Sequence, residues 1–156
     1  MSNAMFNRTT DLHVACSPEQ AFTHIAREFF TNHPRWDPDI VELTQTSPGP
    51  VGAGTTGLEV REFNGRRFET PFRITRFEPD RAFSHRSSAG AMGEDVDYLI
   101  EADGAGARVR STVEIYPRTL MLRLLSPLIK PRVEKNFRAN LERFRQLLDG
   151  LAAGVS

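Results

Sequence analysis

Apolar and polar residues alternate at the start of the chain, switch to helical spacing, alternate again over a long middle stretch, and end in a second helical pattern. The opening alternation includes Leu12 and Val14 and leads straight into Ser17-Pro18-Glu19-Gln20-Ala21-Phe22. Ser17 suits a helix N-cap, Pro18 the first helical position where a missing N–H costs nothing, and Glu19 and Gln20 the first turn. A strand therefore runs directly into a helix. Asn32-His33-Pro34-Arg35-Trp36-Asp37-Pro38 then predicts the helix end, a stiff connection and a second short helical turn. Residues 40–46 read as a strand, followed by the turn cluster Ser47-Pro48-Gly49-Pro50-Val51-Gly52-Ala53-Gly54.

Beyond that cluster the chain is mostly β. Phe68, Thr70, Phe72 and Ile74 share one face of a strand, and Arg67, Glu69 and Arg73 the other. Val96, Tyr98 and Ile100 oppose Asp95, Asp97 and Glu101, while Val109, Ser111, Val113 and Ile115 oppose Arg108, Arg110 and Glu114. One wet face and one apolar face is antiparallel-sheet patterning. Asp80-Arg81, Ala89-Gly90-Ala91 and Asp103-Gly104-Ala105-Gly106 fall at the hairpin connections of a meander. Thr70 and Ser111 interrupt the bulky inward rows and leave space that Leu or Ile would have filled.

At the C-terminal end, Val133, Phe137, Leu141, Phe144 and Leu148 recur at steps of three and four, the pattern of a helix lying on a sheet. Pro127 and Pro131 each remove a backbone donor, which predicts a kink or break before it. Residues 120–129 are apolar nearly all round, and burial on several sides is the expected arrangement; a dimer contact or a lid over an apolar ligand are the alternatives. The order of elements predicts an α+β fold in which a curved antiparallel sheet wraps around the long C-terminal helix with a cavity between them.

A length of 156 residues bounds the chain to one domain, expected over 5–149, with 1–4 as an expression-tag remnant and 150–156 as a flexible tail. Lys and Arg number 20 and so do Asp and Glu, so no net field draws the chain to nucleic acid. The single cysteine, Cys16, excludes an intramolecular disulfide, and no secretory pattern is visible near the start, so the cytoplasm is the expected compartment. No apolar stretch is long enough to span a bilayer.

Gly52-Ala53-Gly54-Thr55-Thr56-Gly57 spells a dinucleotide fingerprint, but residues 58–63 after it read as a strand, so no helix N-terminus is there to hold a pyrophosphate. The glycines instead predict a bend at the edge of the pocket mouth. His13, His24, His33 and His85 have no zinc spacing, and neither a metal nor a cofactor is expected. No nucleophile elbow, Ser-His-Asp order or H-E-x-x-H is present, and no catalytic residue is assigned. His85 shares a parity with Phe83 and is expected to face inward as a group that titrates near neutrality.

Residues 11–22, Pro34-Arg35-Trp36-Asp37-Pro38, Gly52-Ala53-Gly54-Thr55, Ile74-Thr75-Arg76-Phe77-Glu78-Pro79-Asp80-Arg81 and Gly106-Ala107-Arg108-Val109 together resemble the polyketide cyclase/dehydrase branch of the START-like (SRPBCC) superfamily. The resemblance implies a helix-grip, Bet v 1-like fold: seven antiparallel strands around the C-terminal helix, with two short helices between strands 1 and 2. It also implies an internal hydrophobic cavity, and leaves three functions open. The first is a carrier or sensor of a small hydrophobic or aromatic molecule, contacted by Trp36, Phe68, Thr70, Phe72, His85, Tyr98, Ile100, Ser111, Val113, Met121, Leu125 and Phe137. The second is a cyclase or dehydratase using His85 and Tyr98, with an arginine such as Arg73 should the register of that strand differ from the one given above. The third is a co-chaperone-like domain that binds clients through 120–129. A homodimer is compatible with any of them.

Overall fold

The computed structural model describes residues 4–154. Seven strands form one antiparallel sheet: β1 (Phe6–Val14), β2 (Ile40–Gln45), β3 (Thr56–Phe63), β4 (Arg66–Glu78), β5 (Ala82–Ser87), β6 (Met92–Asp103) and β7 (Gly106–Pro117). Their spatial order is β1-β7-β6-β5-β4-β3-β2, so β2 to β7 form a meander and β1 returns to pair with β7. Helices α1 (Pro18–Phe22) and α2 (Phe29–Trp36) lie between β1 and β2, and α3 (Leu120–Ala152) follows β7. This is the helix-grip fold with the expected number and order of elements.

Ser17 caps α1 with a full capping box: its hydroxyl accepts from Gln20 N at 3.1 Å, and the Gln20 side chain accepts from Ser17 N at 3.0 Å. The chain then passes through a π-turn over Thr23–Arg27 and breaks at Glu28, whose backbone leaves the helical region. That break divides the two helices. The expected division at residues 32–38 is therefore displaced, because α2 tolerates Pro34 inside it and ends only at Trp36. The β3–β4 connection is the two-residue turn Asn64-Gly65, with φ of 51° and 75°, the left-handed backbone that a tight hairpin demands.

The core is aromatic. Phe22, Phe29 and Phe83 are buried with Ile25, Ile74, Val109 and Leu148, each side chain contributing about 1.5–3 kcal/mol by leaving water. Phe29 sits at its centre, with ring centroids 5.7 Å from Phe72, 5.3 Å from Phe83 and 5.1 Å from His85.

Helix α3 differs from its expected form in three ways. It runs unbroken through Pro127 and Pro131, both exposed, where the carbonyls they free can be hydrated. It also extends to Ala152, where Leu151 packs on the core and accepts from Gln20 Nε2, so residues 150–152, expected in the tail, are helical; residues 1–3, the bulk of the expected tag remnant, lie outside the described residues, as do 155 and 156. Only the C-terminal half is seated: Phe144 and Leu148 are buried, whereas Val133, Phe137 and Leu141 face open space. The expected burial of 120–129 does not occur, since Leu120, Met121, Leu124 and Leu128 are exposed. In this half the helix presents its other face, with Leu122 and Ile129, inward.

Gly106 opens β7 so close to β1 that a Cβ there would stand 2.1 Å from Val14 O. Replacing Gly106 with Ala is expected to destabilise the chain by about 1–3 kcal/mol in chemical denaturation. Unchanged stability would contradict this close approach of β1 and β7.

Candidate functional site

Between the concave face of the sheet and the unseated half of α3 lies a cavity of about 280 Å³. A cavity of about 150 Å³ holds benzene, so there is room for a larger guest. Its wall is apolar along Phe63, Phe68, Val96, Val113, Ile115, Leu122, Ile129, Val133, Phe137, Leu141 and Phe144. Thr70 and Ser111 lie on the same wall, and Ser111 Oγ shares a 2.8 Å hydrogen bond with Thr10 Oγ1. Small hydroxyl residues therefore occur where the sheet stands away from the helix.

One end of the cavity is charged. Arg61 on β3 places Nη2 2.7 Å from Asp37 Oδ2 and 3.4 Å from Glu94 Oε2, while its Nε donates to Glu59 Oε1 at 2.5 Å. Asp37 caps the C-terminal end of α2, Glu59 lies on β3 two residues before Arg61, and Glu94 lies near the start of β6. Three elements thus converge on one guanidinium. Arg143 of α3 donates to Trp36 O at 3.4 Å, and Asn136 of α3 donates to Asp39 Oδ2 at 2.8 Å, so the helix is tied to the same corner.

The surroundings sort the protons. Burial opposes ionisation of Glu94 and the Glu59 carboxylate adds to it; Arg61 offsets only part, so the pKa rises from 4.5 to about 8. Burial would also raise Asp37, but Arg61, with its charge and hydrogen bonds, outweighs it and holds the carboxyl below its usual range. Near neutral pH the cluster therefore combines a protonated acid with an ionised carboxylate. Burial also raises the Tyr98 phenol, with Glu94 and Asp37 adding to the shift.

Of the twelve candidate residues, Trp36, Phe68, Thr70, Tyr98, Ser111, Val113 and Phe137 line the cavity. Trp36 stacks on His33 at 4.9 Å and meets Phe144 edge-on at 5.0 Å. Phe72 and Ile100 belong to the solid core, because the sheet closes on α1 and α2 at that end. His85 faces inward as expected but into the aromatic core, and its Nε2 has no hydrogen-bond partner. Burial, with His33 next, pushes its pKa well below the ordinary value, so it is a neutral imidazole outside the cavity. Arg73 lies on the exposed face of β4, so of that acid–base set neither His85 nor Arg73 reaches the cavity. Met121 and Leu125 point to solvent on the outer side of α3. The glycine-rich turn does not form the mouth either: it lies beside the core, where a Cβ on Gly57 would strike the Phe72 ring at 2.4 Å.

The sequence reading passed over Asp37, Glu59, Arg61 and Glu94. Parity alone could have found Glu94, which shares its face of β6 with Val96, Tyr98 and Ile100, and could have grouped Glu59 with Arg61. No three His, Cys, Asp or Glu side chains among the described residues are grouped as a metal site.

The family model for polyketide cyclase / dehydrase and lipid transport proteins matches residues 5–149. The chain belongs to that family. An uncharacterised protein of Mycobacterium tuberculosis H37Rv is 32% identical over 149 residues, covering 90% of this chain and 83% of that protein. Among solved structures, the Thermus thermophilus protein TTHA0849 has a TM-score of 0.73 at 15% identity and covers 95% of this chain and 99% of its own. A START superfamily protein from Mycobacterium smegmatis has a TM-score of 0.71 at 11% identity, covering 93% of this chain and 98% of its own. The di-domain aromatase/cyclase StfQ of the steffimycin pathway scores 0.70 at 14% identity, with 96% of this chain and 52% of its own covered. These likenesses establish the shared fold.

The Glu94 shift fixes a sign. The native state keeps a proton that the unfolded glutamate has lost, so between pH 4.5 and about 8 stability falls as pH rises. His24, His33 and His85, all with lowered pKa, act the opposite way, losing stability as pH falls below 6.5. Comparing Glu94→Gln with the parent at each pH isolates the glutamate. The variant is expected to gain stability relative to the parent between about pH 5 and pH 8 in thermal melts; parallel profiles would contradict the assignment.

Proposed function

We propose that the chain encloses a small apolar or aromatic molecule bearing a carbonyl or hydroxyl oxygen, as a carrier or sensor. The observation that carries this reading is the segregation of the cavity, with aliphatic and aromatic walls along most of its length and the Arg61 cluster at one end. Apolar area supplies affinity, and a few fixed polar groups supply orientation. Protonated Glu94 can donate to a ligand oxygen without bringing an uncompensated charge. Family membership in a group that includes lipid transport supports the same reading.

Freshly purified protein is expected to release bound small molecules in native mass spectrometry and to bind the apolar probe 1-anilinonaphthalene-8-sulfonate. Val113→Trp fills the cavity and is expected to weaken probe binding at least about tenfold, since a filled pocket loses most of its burial, with the fold retained by circular dichroism. Unchanged probe binding in that variant would remove the cavity as the site.

A second reading, a cyclase or dehydratase, draws support from one specific feature: a protonated Glu94 and an ionised Asp37 share Arg61 at the same cavity end. The acid can give a proton to a departing hydroxyl while a carboxylate takes one from the adjacent carbon, which balances the loss of water from a β-hydroxy ketone. The His85 and Tyr98 acid–base pair has no such geometry. Under this reading Glu94→Gln abolishes turnover and keeps binding.

A further inference from the structure

The N-terminal half of α3 carries an apolar face that the fold leaves uncovered. Leu120, Met121, Leu124 and Leu128 are 71%, 70%, 73% and 78% exposed and fall on one side of the cylinder, opposite the inward Leu122 and Ile129. Isolated exposed leucines need no explanation, but four large side chains in one stripe form a patch of the kind that marks an interaction site.

Charge selects the occupant. Between Glu114 and Glu134 the sequence has no carboxylate, while Arg118, Arg123, Lys130 and Arg132 all fall in that span. Arg123 and Lys130 are exposed beside the leucine stripe. A two-fold contact between copies would set this positive segment against itself with no acidic residue on it to answer. An anionic lipid surface answers both features, the leucines entering the headgroup boundary and the cations meeting phosphate and carboxylate groups. No helix among the described residues is long and apolar enough to cross a membrane, so the segment would lie on the surface.

We propose that this face of α3 docks the chain on an anionic lipid bilayer. The same segment lines the cavity through Leu122, Ile129 and Arg132, and Arg132 reaches the β3–β4 turn by donating to Asn64 Oδ1 at 3.2 Å and covering the Phe63 ring at 3.9 Å. Docking therefore holds the cavity-lining helix between the lipid and the cavity, its leucine face outward and Leu122 and Ile129 inward. The docking surface does not depend on what the cavity holds.

Co-sedimentation of the full chain tests the proposal, with vesicles of phosphatidylcholine alone and of phosphatidylcholine mixed with phosphatidylserine. Binding to the mixed vesicles is expected, weakening as salt is raised. Leu124→Glu with Leu128→Glu is expected to lower the partition constant at least about tenfold, and Arg123→Glu with Lys130→Glu to abolish the preference for phosphatidylserine, each with an unchanged melting temperature and unchanged probe binding in the cavity. Absence of binding at low salt, or full binding by the leucine variant, overturns the proposal. So does a parent dimer in sedimentation velocity that the leucine variant breaks into monomers, which would assign the face to a second copy.

Discussion

The Arg61 guanidinium is the constraint on which the rest of this structure turns. It ion-pairs with three carboxyl groups, from the C-cap of α2, from β3 and from β6, and each of those groups is mostly removed from water. A buried charge that loses its partner costs about 3–5 kcal/mol, so β3 has to turn Glu59 and Arg61 inward and α2 has to end at Asp37. The price of this arrangement is an end of the cavity that cannot close into plain hydrocarbon. The proton retained on Glu94 follows first from its burial and then from the Glu59 carboxylate beside it, which the single arginine offsets only in part.

Helix α3 has two roles that divide along its length. Its C-terminal half seals the core through Phe144 and Leu148, next to the aromatic cluster around Phe29 and Phe83. Its N-terminal half faces the cavity through Leu122, Ile129 and Val133, and near its middle Phe137 packs on Phe6 of β1 at 5.1 Å. Arg118 anchors the start of this half, donating to Ala89 O at 2.7 Å and Ser87 O at 2.9 Å, and so ties the β5–β6 turn to the helix. A rod seated at its C-terminal end and bridged to the sheet elsewhere by single side chains, Asn136 to Asp39 and Arg132 to Asn64, frames a hollow. Thr70 and Ser111 on the opposing strands widen it.

The fold was legible because its signals are local: the Ser17-Pro18 helix start, the period-2 faces of β4, β6 and β7, and the three- and four-residue steps of α3. The Asn64-Gly65 turn is a local signal of the same kind, yet it was not among the hairpin connections expected from the sequence. What periodicity could not state is depth. The face of His85 could be read, but not that this face meets the aromatic core instead of the cavity, which depends on how far along the sheet α1 and α2 sit. The apolar run at 120–129 misled for a related reason, since composition implies burial and only the geometry of α3 shows that one side has nothing to cover it. The charged cluster was missed because each member is an ordinary residue in its own segment, and the meeting point exists only after three distant segments converge.

Carbon-detected NMR titration of the Glu94 side-chain carboxyl, in otherwise unmodified protein, tests the central claim most directly. A midpoint near 8, with Asp37 titrating below its usual range, is the expected result. A Glu94 midpoint near 4.5 would place that carboxyl in water, and the account of an apolar cavity ended by a buried charged cluster would fall with it.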